Sequence, residues 1–464
     1  MTESALAGPS HRSIGPVTQR WVKAWSAAKR FFRNTDAAKL LLSGYVLYTL
    51  AGWALLCLPL AQASPVAPLD NLFIATSAVS TTGLVTVDPG SSYTPFGQAV
   101  ILALIQMGGI GYMTFGSFVV LSLSHRWSKF RETVTRAAFP LPADFDPARF
   151  IRRVVYFTLI VEALGAAALW PMFAAAGVEN ALWSAVFHSV SAFCTAGFSL
   201  FSNSFEDFSG HEGIVLVISA LSYLGAIGFI VLTAVHDRLM GRRRSLGFTA
   251  KVILSVTAKF AVIGTALLFI AEPAIAALPP EERLMAAFFQ VMTASTTVGF
   301  NTVPIGALSG AILVVMFVLM IFGASPSGTG GGLKSTTLAA LVGVIRSVLK
   351  RRSSIRYMKR ELSEDRVHQA MASFAFYFLI LAAALFALLL TETGAAFEMV
   401  AFEAISALGT VGLSMGLTGE LSDLGKLLVV LLMLIGRVGI LTFGLAVVAR
   451  DEPAEEVKDN DLAL

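Results

Sequence analysis

The stretch Phe73-Ile-Ala-Thr-Ser-Ala-Val-Ser-Thr-Thr-Gly-Leu84 decides the fold, because its pattern occurs four times in the chain. The shared pattern is F-x-x-x-[ST]-A-x-x-T-x-G-[LF], without gaps, and its glycines stand at positions 83, 197, 299 and 412. A pattern that returns at long, similar intervals indicates one structural unit per repeat. The other three copies are Phe187–Phe198, Phe289–Phe300 and Phe402–Leu413.

The T-x-G at the end of each copy predicts a cation selectivity filter. A dehydrated cation needs oxygen ligands, which a ring of backbone carbonyls provides. Glycine permits the backbone conformation and the close approach that such a ring requires, and the preceding residues suit a short pore helix whose C-terminal end favours a cation. Close helix packing by small residues is the alternative, and four matching flanks disfavour it. The predicted filter residues are Thr81, Thr82, Gly83, Thr195, Ala196, Gly197, Thr297, Val298, Gly299, Thr410, Val411 and Gly412.

The composition indicates a membrane protein. Hydrophobic residues make up 56% of the chain and charged residues 14%, against roughly 25% charged in soluble domains. About 20 apolar residues cross a bilayer, and they must be helical there. The two cysteines lie in separate apolar stretches, which disfavours a disulfide or a metal site. The predicted spans are 38–61, 95–123, 151–175, 213–236, 253–276, 310–345, 367–391 and 424–449.

Charge placement predicts the topology. Lys and Arg concentrate in three connecting loops, near residues 126–153, 238–251 and 346–366, while the other four loops carry only Arg283 and Lys426. The positive-inside rule therefore places the basic loops and both termini in the cytoplasm. Each of the four outward loops contains one filter motif on a re-entrant segment.

The predicted fold is an all-α integral membrane protein with four helix–pore loop–helix repeats around a central pore. Residues 1–37 read as a basic amphipathic segment on the membrane surface, with a disordered basic tail as the alternative, and no cleavable signal peptide is visible. The predicted regions are the N-terminal segment 1–37, pore repeats 38–123, 151–236, 248–345 and 367–449, and a cytoplasmic tail 450–464.

The sixth span is interrupted by a glycine-rich segment, residues 323–332, that holds five glycines and a proline. Such a sequence ends a helix, and non-helical backbone at membrane depth must be buried by protein or wetted. We predict a flexible gate on the cytoplasmic side of the pore, with a static hinge as the alternative. The Walker pattern G-x-x-x-x-G-K-[ST] is not satisfied. The predicted gate residues are Gly323, Ser325, Pro326, Gly328, Gly330, Gly331, Gly332 and Arg437.

Arg437 lies deep in the last span between Gly436 and Gly439. An intramembrane charge is functional by default, so Arg437 is predicted to face the pore, where it would either repel cations or hold the glycine-rich segment by bonding to its carbonyls. Snorkelling to the cytoplasm is the alternative. Glu162, His188 and Glu403 are expected to make local hydrogen bonds. No set of residues converges as an enzyme site requires, which disfavours an enzyme, and the fourfold motif disfavours a receptor.

These motifs, with Gln106–Phe115 and Gly436-Arg437-Val-Gly439, resemble the Trk/Ktr/HKT superfamily of potassium transporters, most closely the membrane subunit of bacterial Ktr systems. The resemblance implies potassium uptake across the bacterial inner membrane, a homodimer, and a cytoplasmic ring of regulator subunits that carry the nucleotide, with no cofactor on this chain. Gly83, where plant relatives often carry Ser, implies potassium selectivity. Each repeat lacks the Tyr-Gly that extends a channel filter, so a sodium-permeable or Trk-type transporter is the alternative, and sodium dependence stays open.

Overall fold

The computed structural model describes residues 37–111, 147–241 and 245–447, which are predominantly helical. The predicted N-terminal segment before Ala37, the end of the second span with most of the first basic loop, and the predicted tail 450–464 lie outside the described residues.

Each of the four sequence repeats, called units one to four, contains a first helix, a middle helix carrying the repeated motif, and a last helix. In order of units, the first helices are Ala37–Leu56, Pro147–Ala175, Phe248–Ala271 and Glu364–Thr391, the middle helices are Pro68–Ser80, Ala181–Phe193, Pro280–Thr296 and Phe397–Gly409, and the last helices are Pro95–Ile110, Glu212–Ile227, Gly310–Phe322 and Asp423–Val438.

In units two to four the last helix is followed by a further helix: Phe229–Leu239, Ser335–Leu349 and Ile440–Val447. The remaining elements are two single-turn α-helices, four short 3₁₀-helices and an antiparallel pair of strands in the third basic loop: Pro89–Ser92, Pro273–Ala276, Pro59–Ala61, Glu206–Phe208, Ile305–Ala307, Thr418–Glu420, Arg356–Tyr357 and Arg360–Glu361.

Local sequence explains where several of these helices begin. Thr94 and Ser422 cap the last helices of units one and four, since their hydroxyls accept hydrogen bonds from the N–H groups of Gly97 and Gly425. Prolines open helices where a missing N–H removes no intrahelical bond, as at Pro68.

Three helices among the described residues are long and apolar enough to cross a bilayer: Ile151–Ala175, Phe248–Ala271 and Glu364–Thr391. Two further helix pairs pass the same test together but bend, by 99° at Gly228 and by 104° at Gly439. The predicted spans 213–236 and 424–449 are therefore each interrupted by a bend, where the sequence indicated unbroken helices. Leu164, Ile270 and Phe386 are more than half exposed on first helices, a surface that suits lipid.

The four units close into a ring. Each middle helix packs between the first and last helices of its own unit, and it also contacts the last helix of the preceding unit. The last helix of unit four packs on the middle helix of unit one, which completes the circle. On this boundary the Lys426 ammonium lies 2.7 Å from an Asp70 carboxylate oxygen.

One glycine in each last helix, or directly after it in unit three, lets the backbone of the middle helix approach closely. A Cβ added at Gly225 would lie 1.8 Å from the carbonyl oxygen of Phe193, and one at Gly108 would lie 2.1 Å from that of Val79. The equivalent contacts join Gly323 to Ser295 and Gly436 to Leu408. Each of these carbonyls belongs to the residue two positions before a motif threonine, so the glycines set the depth at which the four middle helices end.

Candidate functional site: four loops around one ring

Each middle helix leads into the threonine of a T-x-G sequence, and all four threonines adopt a left-handed backbone conformation. Their φ angles are 51° at Thr81, 50° at Thr195, 59° at Thr297 and 51° at Thr410. For a residue other than glycine this conformation is uncommon and costs about 1–3 kcal/mol. The surrounding structure must therefore hold these turns in place.

The motif Ser or Thr, four residues before each threonine, holds the turn. Its carbonyl accepts a hydrogen bond from the N–H of the middle residue of T-x-G, and the four N···O distances lie between 2.8 and 3.1 Å. In units one and four the serine hydroxyl also accepts from the glycine N–H: Gly83 to Ser77 at 3.0 Å, and Gly412 to Ser406 at 3.1 Å. The amide N–H groups of the loops thus point back into their own units.

The backbone carbonyls of the T-x-G sequences are left without protein donors. None of the carbonyl oxygens of residues 81–83, 195–197, 297–299 and 410–412 accepts a hydrogen bond from the part of the chain that the structure describes. Most of these residues are fully buried. Buried backbone carbonyls are normally paired, so a concentration of unpaired ones marks a place where another electropositive partner belongs.

The four glycines follow one another around a closed ring. A Cβ added at Gly83 would lie 2.5 Å from the carbonyl oxygen of Ala196 in the next loop, and one at Gly412 would lie 2.0 Å from that of Thr82. A Cβ added at Gly197 would lie 2.3 Å from the carbonyl oxygen of Val298, and one at Gly299 would lie 2.3 Å from that of Val411. We call the T-x-G segments of units one to four loops one to four. The structure thus brings all twelve predicted filter residues together.

The glycine-rich segment contacts the threonines of all four loops. The Thr329 hydroxyl lies 2.9 Å from the Thr195 hydroxyl, and the Thr81 hydroxyl donates to the Thr329 carbonyl at 3.3 Å. The Gly331 N–H donates to the Thr410 hydroxyl at 2.8 Å. Gly330 lies against the Thr297 hydroxyl, where an added Cβ would come within 2.2 Å.

A hydrogen bond joins the two ends of the glycine-rich segment. The Ser335 N–H donates to the Ala324 carbonyl at 2.7 Å, so the segment begins and ends at nearly the same point in unit three. Four predicted gate residues lie near these two ends. Gly323 packs on the middle helix of unit three, and the hydroxyl oxygens of Ser325 and Ser335 lie 3.4 Å apart. Pro326 and Gly328 lie beside the bend at Gly228. Gly332 donates to the Gly436 carbonyl at 3.3 Å.

Arg437 ties three elements together. Its guanidinium donates to the Thr81 hydroxyl at 2.9 Å, to the Thr329 carbonyl, and to the Gly108 carbonyl at the end of the last helix of unit one. The side chain therefore points toward the ring of T-x-G loops and the glycine-rich segment. Its Nε is buried without a partner among the described residues.

Sequence reasoning missed two residues of this site. Thr329 was not among the predicted gate residues, although it contacts two T-x-G threonines and accepts from Arg437. Lys334 was also missed, and its ammonium donates to the Gly330 carbonyl at 2.9 Å. The signal for Thr329 was a single β-branched polar residue within a run of glycines.

The other polar residues singled out from the sequence make hydrogen bonds, which are local for His188 and Glu403, as expected, but join unit two to unit one for Glu162. Glu162 accepts from the Gln106 side chain at 3.0 Å. His188 bonds to Ser184 and Ser199, and Glu403 bonds to Ser414 and Thr418. Both cysteines are free, and the described residues contain no cluster of three or more His, Cys, Asp or Glu side chains able to hold a metal ion.

The family model for TrkH, described as a cation transport protein, matches residues 28–455. The chain belongs to this family. Relatives of the TrkH family include the Ktr system potassium uptake protein B of Vibrio alginolyticus, 34% identical, covering 94% of this chain and 96% of the relative, and the potassium/sodium uptake protein NtpJ of Enterococcus hirae, 32% identical, covering 92% and 96%.

The fold is also that of a solved TrkH structure. The crystal structure of the potassium transporter TrkH from Vibrio parahaemolyticus matches with a TM-score of 0.70 at 20% identity, covering 93% of this chain and 91% of that one. This likeness shows the fold, and the matching family model is one of cation transport proteins.

Proposed function

We propose that the chain takes up potassium across the cytoplasmic membrane through a pore whose selectivity filter is the ring of T-x-G carbonyls. The observation that carries the proposal is the set of buried, unpaired carbonyl oxygens on four loops that contact one another in a closed circle. Such a ring replaces the hydration shell of a cation. The ion is the cargo of this site.

The gate is the glycine-rich segment with Arg437. Residues 329–331 lie against all four threonines, on the path that an ion leaving the ring would take. The Arg437 guanidinium bonds to the Thr329 carbonyl and adds a positive charge beside this path. Like charges repel strongly where water is scarce, so the closed arrangement opposes cations both sterically and electrostatically.

The proposed assembly is a homodimer on a cytoplasmic ring of nucleotide-binding regulator subunits. Support comes from the relative of Vibrio alginolyticus, whose name places it in a Ktr system. The third basic loop offers a docking face: the hairpin of Arg356–Tyr357 and Arg360–Glu361 follows a helix end carrying Lys350, Arg351 and Arg352, all exposed. Both termini would then be cytoplasmic.

A sodium-permeable pathway is the second candidate. The relative from Enterococcus hirae is named for both potassium and sodium, and each loop of this chain offers a short T-x-G without a following Tyr-Gly. Uptake of potassium in competition with sodium separates the two candidates.

The test of the proposed function is growth and rubidium uptake in bacterial cells that lack potassium transporters, with and without a co-expressed regulator subunit. Expression of the chain should restore growth at low potassium. Membrane-inserted, monodisperse protein that restores neither growth nor uptake in either background would overturn the proposal.

Arg437→Gln is expected to raise rubidium flux about tenfold in the absence of the regulator. Hydrogen bonds to charged groups contribute about 1.5–3 kcal/mol each to stability, and this change removes a charge that bonds to the Thr329 carbonyl. Flux into proteoliposomes measures the effect. Arg346→Gln, which removes the same charge from an exposed position, is the matched control, and equal flux in both variants would contradict the role given to Arg437.

A further inference from the structure

One position of the repeat differs in polarity between unit one and the other units. It is the residue after the motif phenylalanine, nine positions before the glycine, and it is completely buried in every unit. The residue is apolar in unit one and polar in units two to four: Ile74, His188, Gln290 and Glu403.

In unit two this residue fastens the chain that follows the T-x-G loop. The His188 Nε2 lies 3.0 Å from the Ser199 hydroxyl, two residues after Gly197, and accepts from the Leu200 N–H at 3.3 Å. The other ring nitrogen lies 2.7 Å from the Ser184 carbonyl of its own helix. Phe201 stacks on the imidazole, with ring centroids 4.5 Å apart.

Units three and four use different side chains for the same task. The Gln290 amide donates to the Val303 carbonyl at 3.1 Å. Glu403 accepts from the Ser414 hydroxyl at 2.8 Å and from the Thr418 hydroxyl. In units two to four, a polar side chain of the middle helix therefore bridges to the segment just beyond the glycine. We call these three contacts the braces.

Unit one has no brace. Ile74 offers no polar atom, and residues 84–87 make no hydrogen bond within the described ranges. The Thr86 hydroxyl is buried there without a partner. The next side-chain hydrogen bond of unit one lies five residues after Gly83, where Asp88 accepts from the Ser202 hydroxyl of unit two at 2.6 Å. Gly83 itself donates to the Ser77 hydroxyl, but residues 84–87 have only apolar packing among the described residues to hold them.

We propose that His188, Gln290 and Glu403 are positioning residues that set ion discrimination, and that loop one is the compliant side of the ring. The inference rests on the proposed function. In the size-based account of selectivity, a carbonyl ring favours potassium because it resists shrinking around the smaller sodium ion. Hydrogen bonds are directional and resist displacement of a loop, whereas apolar contact is non-directional and yields to it.

The braces also explain why only loop one of the ring is proposed to move easily. Loop one contacts loops two and four in the ring, through Gly83 against Ala196 and Gly412 against Thr82. Those two neighbours are braced by His188 and Glu403. A movement of loop one therefore changes its two boundaries in the ring without displacing the other three loops.

The test adds a brace to unit one and removes one from unit three. Ile74→Gln supplies an amide at the register of Gln290, and Gln290→Leu removes the bond to the Val303 carbonyl. Gln290 suits removal because its amide oxygen already lacks a partner among the described residues, so only one carbonyl is newly unpaired. Leu72→Gln, half-buried on the same helix as Ile74, controls for the addition of an amide.

The readout is the potassium-to-sodium permeability ratio in proteoliposomes, which a merely structural role would not move. We expect Ile74→Gln to raise the ratio about threefold and Gln290→Leu to lower it about threefold, with Leu72→Gln unchanged; each factor corresponds to about 0.6 kcal/mol. If the wild-type protein and Gln290→Leu carry potassium at the same ratio, the inference is overturned and the proposed function stands. If the wild type carries no potassium, the proposed function itself fails.

Discussion

Gly412→Ala is expected to lower potassium uptake at limiting potassium by about 100-fold and to remove the preference for potassium over sodium. The φ angle of Gly412 is 89°, and an added methyl group would lie 2.0 Å from the Thr82 carbonyl oxygen. The strained φ alone costs about 1–3 kcal/mol, and relief of the clash must move either loop four or loop one. Both movements displace carbonyls of the ring.

Rubidium uptake with sodium competition measures this effect. Gly419→Ala is the matched control, because it lies beyond the same loop with no atom within 4 Å of an added Cβ. Both variants are checked for membrane insertion and for the elution profile of the solubilised protein. Correctly assembled Gly412→Ala protein with the wild-type uptake and ion preference would remove the ring from the transport pathway.

Deletion of residues 326–331 is expected to raise rubidium flux in the absence of the regulator by about 100-fold, if the segment keeps the pore closed in about 99% of molecules. The deletion removes every contact of residues 329–331 with the four loop threonines. The bond between the Ser335 N–H and the Ala324 carbonyl already holds the two ends of the segment together, so Ser325 and residues 332–334 are enough to join them.

A second deletion protein that also carries Gly412→Ala shows where the added flux passes. If the ions cross the ring, the double variant loses the potassium preference of the deletion protein. Ions that leak through a distorted helix boundary would not cross the ring, so adding Gly412→Ala would leave their potassium preference unchanged. Unchanged flux in a well-expressed single deletion protein would mean that the segment is a static hinge, the alternative left open by its sequence.

Much of the site could be located from the sequence, because its parts either repeat or are residues that are energetically unfavourable within a membrane. The fourfold motif located the loops that the structure brings together at Gly83, Gly197, Gly299 and Gly412. The glycines of residues 323–332 predicted non-helical backbone within the sixth span. Arg437 stood out because a buried charge needs partners, and its direction toward the ring followed from the distance to the helix end.

The remaining features depend on pairings between distant residues, which a single sequence does not display. Gly225 looked like any small residue of a membrane helix, yet its close contact with Phe193 fixes how deep the middle helix ends. The bends at Gly228 and Gly439 leave the apolar run unbroken, so hydropathy did not reveal them. Hydrogen bonds of His188 and Glu403 were predicted, but the position that they share with Gln290 was not recognised, because the three side chains differ in chemistry.

The circular packing of the units has a consequence for biosynthesis. Loop four supplies the last wall of the ring, and its glycine meets loop one, which leaves the ribosome far earlier. Until residues near 412 have been synthesised, the circle of loops is open on one side. The proposed filter is therefore completed only by the last repeat to leave the ribosome, and a chain truncated before residue 412 lacks one of its four walls.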